Sequence, residues 1–339
     1  MKKLILAFGL SFFFAGMVFL MTGCKPRKAE YPERDITNVL VWGAGGGTDI
    51  CNRVVAAEMG NILGVNINVV NKTGGVGGSV GMNYAYSRPH DGYTLCGLSE
   101  SCVTAGVQGG FNKRMDVWDF FIIGGSPDVL SVAAGAQYDD LKALIEAAKA
   151  NLGSLRVGAS AAGSIHHLNL LALENGTGAK FNFIPYPGSA PAHNAAMTGE
   201  VSVVVTSISE QAQLIRSSKL RPLAMLTPEP YLFEKTTIPS AFNDYPGLSE
   251  HLPISQAIGF AVPEEVPSKV KDKLIDAFTA ALQTESFRMW ARENHISVSG
   301  KTGEDAKEAF NRLESIFAWT LWKLNAAKVD PGTLRIPKP

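Results

Sequence analysis

One stretch of the sequence constrains the fold more than any other. From Asn38 to Ile62, a short apolar run is followed by closely spaced glycines and then by the start of an amphipathic run. This order predicts a buried strand, a turn containing Gly45–Gly47, and a helix that opens at Thr48–Asp49. Glycines let a ligand approach the backbone, and the first amides of a helix have no partner within it. The stretch therefore predicts an anion site, although a plain strand-to-helix turn has a similar composition.

The residues around this turn exclude two kinds of nucleotide site. A dinucleotide-binding fold needs an acidic residue at the end of its second strand to hold a ribose. Here Asn71 and Lys72 follow the predicted second strand. A phosphate-binding P-loop needs Gly-Lys-Ser/Thr after the turn, and this chain has Gly47, Thr48 and Asp49 there. We therefore expect no nucleotide site, and we expect no cofactor.

The composition is that of a globular protein rather than a nucleic-acid-binding one. The chain has 339 residues, enough for about two domains. Apolar residues make up 46% and charged residues 18%, which suits a large core. Basic and acidic residues number 31 each, and no basic patch indicates nucleic acid. No spacing of cysteines or histidines is typical of a metal site, so we expect no metal.

The N-terminal residues form a separate module. Two lysines precede an apolar stretch from Leu4 to Met21, and Thr22-Gly23-Cys24 follows. Charged, apolar and small-residue regions in this order are typical of a secretory signal, and this one resembles a bacterial lipoprotein signal. The resemblance implies that residues 1–23 are removed and that Cys24 is lipidated, which would tether the body to a membrane outside the cytoplasm. A single membrane-spanning helix is the alternative, since the apolar stretch is just long enough.

The rest of the chain predicts an α/β fold. Residues 24–35 are charged, contain two prolines and predict a flexible tether. Strand-like and helix-like runs then alternate, which is typical of α/β layers. Several predicted strands end in small polar loops, which contain Gly45–Asp49, Ser99, Ser160–Ser164 and Thr206–Ser207. Because open α/β sheets bind ligands outside the carboxyl ends of their strands, we expect these loops to form the site.

Two predictions concern the interior. On the first predicted helix, Ile50, Val54 and Ile62 fall on one face. The cysteines of the body are Cys51, Cys96 and Cys102. We expect all three to be buried as small hydrophobic residues, although Cys96 and Cys102 could form a disulfide.

Short blocks of the sequence, in a fixed order, resemble those of one family. They are Gly45-Gly46-Gly47-Thr48-Asp49, Val70-Asn71-Lys72 with Gly74 to Gly78, Asp91-Gly92-Tyr93-Thr94-Leu95, Gly163-Ser164 with His167-Leu168, Pro185-Tyr186 with Gly188-Ser189-Ala190-Pro191-Ala192, and Leu220-Arg221-Pro222-Leu223-Ala224. In these blocks the chain resembles the extracytoplasmic solute receptors of tripartite tricarboxylate transporters, the Bug-type binding proteins. The matches extend from about residue 38 to residue 290.

The resemblance implies a two-lobed periplasmic-binding-protein fold of type II that closes on a small ligand. Residues 36–127 and 230–339 would form lobe I, and residues 128–229 would form lobe II. A small carboxylate or amino acid would bind in the cleft, and the receptor, which we expect to be a monomer, would deliver it to a membrane permease. The implied ligand-binding residues are Gly45, Gly46, Gly47, Thr48, Asp49, Ser99, Ser160, Gly163, Ser164, Tyr186, Gly188, Thr206 and Ser207. Helix amides and hydroxyls can hold a carboxylate without an arginine.

Departures from the family pattern leave the ligand open. Thr206 stands near a position where the family often has an aspartate. Glu100 and Glu210 fall near loop positions that are usually uncharged or variable. If either glutamate faces the cleft, it would repel a second carboxylate and favour an amine; otherwise both are solvated on the rim. Citrate-like acids, dicarboxylates, aromatic carboxylates and amino acids all remain candidate ligands.

An enzyme is not predicted. Ser164 lacks the closing glycine of a Gly-x-Ser-x-Gly nucleophile turn. His166 and His167 would point about 100° apart on a helix, so they cannot both face the cleft. Asp49 could accept a ligand amine or cap the first helix. Tyr186 could stack on a ligand or lie in the core.

A second class of function remains open from the sequence. A binding module that presents its solute to a membrane sensor, for signalling rather than transport, needs the same cleft. Adjacent permease or sensor genes would separate the two.

Overall fold

Two separate sheets hold most of the strands. The computed structural model describes residues 30–160, 162–186, 188–250 and 254–339. Within these ranges the strands are β1 Ile36–Leu40, β2 Ile67–Asn71, β3 Thr94–Leu98, β4 Trp118–Gly125, β5 Asp128–Ala133, β6 Arg156–Ala159, β7 Asn182–Pro185, β8 Val203–Ser207, β9 Leu220–Met225, β10 Tyr231–Phe233, β11 Thr236–Ile238, β12 Ile258–Pro263 and β13 Ser297–Lys301. The α-helices of the same ranges are α1 Gly47–Leu63, α2 Ser79–Tyr86, α3 Leu141–Ala150, α4 Ile165–Thr177, α5 Ser189–Thr198, α6 Ile208–Arg216, α7 Ser268–Gln283, α8 Glu285–Glu293 and α9 Gly303–Lys323.

The first sheet places two of the predicted loops at one edge. Its six strands lie in the order β13-β4-β12-β3-β1-β2. β1 is parallel to β2 and to β3, whereas β12 is antiparallel to β3 and β4, and β13 is antiparallel to β4. Because β1 and β3 are parallel, the loops that contain Gly45–Asp49 and Ser99 leave the same edge of the sheet.

The second sheet repeats this arrangement with three other loops. Its five strands lie in the order β7-β6-β8-β5-β9. β6 is parallel to β7 and β8, and β5 is antiparallel to β8 and β9. The loops after β6, β7 and β8 therefore leave one edge, and they contain Ser160–Ser164, Gly188 and the end of β8 at Ser207.

Local sequence signals set the ends of several helices. The side chains of Asp140, Ser164 and Thr284 each accept a hydrogen bond from the backbone amide three residues later, as N-cap residues do. Gly64 and Gly178 end α1 and α4 with φ of 72° and 75°. Only glycine adopts this left-handed conformation without a steric cost.

The buried face of α1 is more polar than the sequence indicated. Ile50 and Ile62 are 42% and 45% exposed, so the predicted apolar face is not the packed one. The opposite face includes Asn52, which is 1% exposed. Its Oδ1 accepts a hydrogen bond from Asn38 Nδ2 at 2.9 Å, and its Nδ2 donates to the Gly259 carbonyl at 3.0 Å. These amide contacts fix α1 against β1 and β12.

Each sheet has its own hydrophobic core, and α4 contacts both. Buried residues of the first core include Trp118, Phe120, Phe310 and Phe317, and those of the second include Leu130, Leu144, Val157 and Val203. Ile165 and Leu168, at the start of α4, pack in the first core, whereas Leu170 and Leu173 pack in the second. The helix that begins at the candidate loop after β6 therefore links the two halves of the body.

Two crossing segments connect the sheets. Residues 126–127 lead from β4 to β5, and residues 254–257 lead back to β12. The Ser126 amide donates to Gln256 Oε1 at 2.8 Å, which ties the two crossings together. Phe233, Ile238 and Leu248 pack with buried residues of the second sheet. We therefore propose that lobe II extends beyond the predicted limit at residue 229.

Residues 1–29, with the predicted signal peptide and Cys24, lie outside the described residues. Residues 34–339 form one compact unit. Among the described helices, none has the length and apolarity that a membrane crossing requires. Cys51, Cys96 and Cys102 are buried free thiols, so the alternative of a Cys96–Cys102 disulfide is wrong.

Candidate functional site

The loop between β1 and α1 presents open backbone at the edge of the first sheet. Gly43 to Gly46 are exposed, and Gly45 has φ of +82°, which favours glycine. Gly46 is the N-cap of α1 and has no side chain that could satisfy the first amides. A Cβ atom at Gly46 would have only the Gly43 carbonyl oxygen nearby, at 3.7 Å. The first turn of α1 therefore has no side-chain cap, and the backbone at Gly46 is open to a ligand, as an anion site requires.

Asp49 holds this loop in shape. Its carboxylate accepts hydrogen bonds from the Gly45 amide at 2.9 Å, from Asn71 Nδ2 at 2.9 Å, and from Arg53 Nε at 3.0 Å. Burial alone would raise the pKa of Asp49, but the contacts with Arg53, Gly45 and Asn71 outweigh burial and lower the pKa. Asp49 is 2% exposed. The N-cap is Gly46, not Asp49. The contacts of Asp49 instead hold the glycine loop in one conformation.

Ser99 connects the two loops of the first sheet. It follows β3, is 4% exposed, and its Oγ accepts a hydrogen bond from Trp42 Nε1 at 3.1 Å. Trp42 lies just before the glycine turn, and its carbonyl accepts a hydrogen bond from Asn71 Nδ2 at 2.9 Å. These contacts brace the glycine turn from both neighbouring strands.

The loop after β6 forms the start of α4. Ser164 is the N-cap, and its Oγ accepts a hydrogen bond from the His167 amide at 3.3 Å. The Gly163 amide donates to His167 Nδ1 at 3.0 Å, so this imidazole is a neutral acceptor at Nδ1. Burial lowers the pKa of His167 to about 4. A Cβ atom at Gly163 would lie 3.3 Å from Leu321 Cδ2 on α9, which places this loop against the first half of the body. Ser160 lies in the same loop and is partly exposed.

The end of β8 and the start of α6 supply a second group of polar residues. Thr206 is fully buried, and its Oγ1 contacts His193 Nε2 at 2.8 Å and Gln211 Nε2 at 3.0 Å. The Ser207 amide and hydroxyl both donate to Glu210 Oε2, at 3.3 and 2.7 Å. Glu210 thus reaches back to the N-cap residue in the manner of a capping box. Both predicted hydroxyls already have partners inside the protein.

A buried ionic cluster lies beside this helix start. His166 Nδ1 lies 2.9 Å from both oxygens of Asp128, and Asn169 Nδ2 donates to Asp128 Oδ2 at 2.9 Å. His166 Nε2 lies 3.5 Å from Glu210 Oε2. Burial alone would lower the pKa of His166, but the charges of Asp128, Glu210 and Glu100 raise it to about 9. His166 is therefore a buried imidazolium at neutral pH.

Glu100 is buried rather than solvated on a rim. It is 2% exposed and accepts hydrogen bonds from the Ala257 amide and the Ser101 hydroxyl, both at 2.9 Å. Burial raises its pKa, against the opposing effect of these two bonds. Ala257 belongs to the return crossing, so Glu100 links the loop after β3 to the connection between the sheets.

Tyr186, a predicted residue after β7, makes its described contacts on the second sheet. The Tyr186 hydroxyl donates to Glu200 at 2.8 Å, and its ring packs in a small apolar cluster on the second sheet. Burial and the Glu200 contact raise the pKa of Tyr186 to about 12. Gly188 is partly exposed and is the N-cap of α5. The described contacts give Tyr186 a packing role.

Glu210 lies at the start of α6, between Ser207 and His166. Burial, and to a lesser extent the charge of Glu210, raises the pKa of the Cys51 thiol to about 12. The starts of α1 and α6 both lie beside the crossings, because a Cβ atom at Gly47 would lie 4.0 Å from Ile258 Cδ1 and the Ser209 amide donates to the Ser126 hydroxyl at 3.0 Å. Glu210, Ser207 and the start of α4 therefore lie on one side of the site, with the start of α1 on the other.

The arrangement suits binding more than group transfer. It offers helix amides, hydroxyls and one imidazolium, and in the described ranges no group of three or more metal-ligating side chains comes together. Sequence reasoning missed Asp128 and Asn169, whose partners are distant in the chain, and it missed Arg53, although the partner of Arg53 is Asp49, four residues earlier on the same helix. Asn71 was part of a family block, and its contact with Asp49 gives that block a physical reason.

Comparisons with known proteins identify relatives of this chain. The model of the tripartite tricarboxylate transporter family receptor matches residues 51–311. Protein BugT of Bordetella pertussis is 32% identical over 234 residues, which cover 67% of this chain and 69% of BugT. A solved periplasmic transporter is 26% identical, with a TM-score of 0.74 over 88% of this chain and 99% of that one. The R. palustris protein Rpa4515, solved with adipate, is 23% identical, with a TM-score of 0.72 over 91% of this chain and all of that one.

These likenesses establish the fold. The chain has the two-lobed α/β fold of periplasmic solute-binding proteins, as the sequence predicted. The family and the fold are those of binding proteins.

Proposed function

The chain belongs to the tripartite tricarboxylate transporter receptor family, and from that membership we propose that it captures a small carboxylate-bearing solute outside the cytoplasm. The solute would bind between the two sheets, with one carboxylate on the amides of residues 46–49. The second side of the site would consist of the helix starts at Ser164 and Ser207. Ordered water could fill the gaps between the loops and the ligand.

One observation carries this proposal. The start of α1 has no side-chain cap and its backbone is open at Gly46, while Asp49, Asn71 and Arg53 fix the shape of the loop. A preformed set of donors at a helix start binds an anion without a large ordering cost. The adipate in the related R. palustris structure is consistent with a carboxylate ligand.

The proposal also covers the delivery of the solute and the location of the protein. Family membership supports transfer of the solute to a membrane permease. The N-terminal sequence supports a lipid anchor at Cys24 and a position outside the cytoplasm. We propose that lobe I consists of residues 36–127 together with the chain from β12 onward, and that lobe II is the part of the chain between these two segments. The lobes would close about the two crossings.

The test is a thermal-shift screen of the full chain against carboxylates, followed by calorimetry with Gly46→Val. A ligand at 100 times its Kd should add about 2.7 kcal/mol to the free energy of unfolding. At Gly46 the added side chain would extend into open space, so the fold should persist while binding is lost. The matched control is Gly135→Val, because Gly135 has nothing within 4 Å of its Cβ position.

The outcomes are distinct. Stabilisation by a carboxylate, abolished by Gly46→Val and retained by Gly135→Val, would support the proposal. Equal affinity of the folded Gly46→Val protein and the wild type would refute the assignment of the glycine loop. Stabilisation by no carboxylate would count against the receptor function itself.

A further inference from the structure

The cluster around His166 contains more acidic groups than basic ones. His166 is the one imidazolium, and Asp128, Glu210 and Glu100 are the carboxyl groups whose charges act on it. Both oxygens of Asp128 lie at 2.9 Å from His166 Nδ1. The more distant contact of His166 with Glu210, at 3.5 Å, leaves Glu210 only partly compensated.

Glu210 is also the acid of this cluster that a solute can reach. Its side chain is 23% exposed, whereas that of Asp128 is 1% exposed, and Glu100 is 2% exposed. Its Oε2 takes the bonds from Ser207. In the described part of the chain no donor reaches its Oε1, so this oxygen is free to accept a hydrogen bond.

A second, independent observation is an orphan acceptor in the same cluster. Asn169 Oδ1 is buried and has no hydrogen-bond partner among the described residues, while Asn169 Nδ2 is used by Asp128. A buried acceptor without a donor is costly. The cluster therefore contains more hydrogen-bond acceptors than donors.

The common end groups of a solute would affect this balance in opposite ways. A carboxylate brings only acceptors, whereas an ammonium brings three donors and a positive charge. Among the described residues, no lysine or arginine forms a hydrogen bond or ion pair with Ser164, Ser207 or Glu210. The Arg53 side chain near the glycine loop is bound to Asp49 and Asn71. A second ligand carboxylate would thus meet Glu210 without a compensating side-chain cation other than His166.

From this geometry we infer that the ligand carries one carboxylate and one ammonium group, and that Glu210 selects it over a dicarboxylate. The inference rests on the proposed function, because it places the carboxylate on the residue 45–49 loop. Glu210 Oε1 accepts from the ammonium group. This differs from the adipate of the R. palustris relative, whose two ends are both carboxylates.

The experiment uses pairs of solutes that differ at one end only. The pairs are succinate and 3-aminopropanoate, glutarate and 4-aminobutanoate, adipate and 5-aminopentanoate, and methylmalonate and alanine. Affinities of the full chain are measured by calorimetry for the wild type, Glu210→Gln and Glu146→Gln. Glutamine retains the capping-box geometry, so Glu210→Gln should fold. Glu146 is an exposed glutamate on α3, with a side chain that is 63% exposed, and is the matched control.

The expected result is at least tenfold tighter binding of the amino member of one pair. Glu210→Gln should weaken that binding at least tenfold and improve binding of the matching dicarboxylate, while Glu146→Gln changes neither. Tighter binding of the dicarboxylate by the wild type, or an unchanged preference in Glu210→Gln, would overturn the inference and leave the carboxylate receptor intact. Binding of none of the eight probes would count against both the inference and the proposed function.

Discussion

His166 shows how a buried group can be charged in the interior. Removing an imidazolium from water is costly, and here Asp128 offsets the cost with two contacts at 2.9 Å. The sequence indicated only that His166 and His167 could not both face the cleft. It gave no sign of the partner, because Asp128 lies 38 residues earlier in the chain. Pairings of this kind depend on strand order, which local patterns do not encode.

This pair makes stability depend on pH at the alkaline end. The pKa of His166 is about 9 in the folded protein, against a usual value of 6.5. Because the folded pKa is raised, the stabilisation is complete below about pH 6.5 and is lost as the pH rises through about 9. We expect the free energy of unfolding to fall over that interval in denaturant titrations, and an NMR titration to place the pKa of His166 near 9.

Asp128→Asn should abolish this behaviour. Breaking a buried pair by removing one charge costs roughly 3 kcal/mol or more, so the variant should be less stable at pH 6.5 and should vary less between pH 6.5 and 9.5. Asp139→Asn is the control, because the Asp139 side chain is 95% exposed. A variant with the pH profile of the wild type would show that Asp128 does not hold the proton on His166.

At the scale of elements, the strand, glycine turn and helix from β1 to α1 were predictable. Each has a local cause: apolar spacing for the strand, positive φ for the turn at Gly45, and unpaired amides for the helix start. β4 was not predicted, although its residues 120–123 form an apolar run. The packed face of α1 was also predicted wrongly, because Val55, Ala56 and Met59 are buried together with Asn52, whereas Ile50 and Ile62 are exposed.

The glycine loop depends on Asp49 as a positioning residue. The Asp49 carboxylate is buried and accepts bonds from Gly45, Asn71 and Arg53, and hydrogen bonds to charged groups contribute about 1.5–3 kcal/mol each. We expect Asp49→Asn to lower the free energy of unfolding by about 1–3 kcal/mol. Ligand affinity should fall about tenfold, because the amides would no longer be held in one arrangement.

A matched variant separates this role from a general charge effect at a helix start. Asp305 is an exposed acid in the first turn of α9, where such a charge contributes about 0.3–1 kcal/mol. Asp305→Asn should therefore cost little stability and leave affinity unchanged in calorimetry. If Asp49→Asn bound ligand as tightly as Asp305→Asn, the loop would not need Asp49 for its shape.

At the scale of the whole molecule, polar contacts link the two crossings to each other and to the loops of both sheets. Ser126 donates to Gln256 between the crossings, Ser209 donates from α6 to the Ser126 hydroxyl at 3.0 Å, and Glu100 accepts from Ala257. The family resemblance predicted the two lobes, but it could not predict which side chains join them. Because Ser126 contacts both the return crossing and the start of α6, a change in the conformation of the crossings should alter the binding site.

Gln256→Ala tests that connection. The Ser126 amide would lose its acceptor at 2.8 Å, and an unsatisfied, partly buried amide costs about 1–3 kcal/mol. We expect the free energy of unfolding to fall by that amount, and ligand affinity to fall several-fold, because binding must then order crossings that are no longer joined. Small-angle scattering should show a larger decrease in radius of gyration on ligand addition than in the wild type.

Gln213→Ala, on the exposed side of α6, is the control for glutamine loss. If both variants kept wild-type affinity and the same scattering change, the Ser126–Gln256 contact would stabilise the fold without governing closure, and the hinge would have to be sought elsewhere in the two crossings.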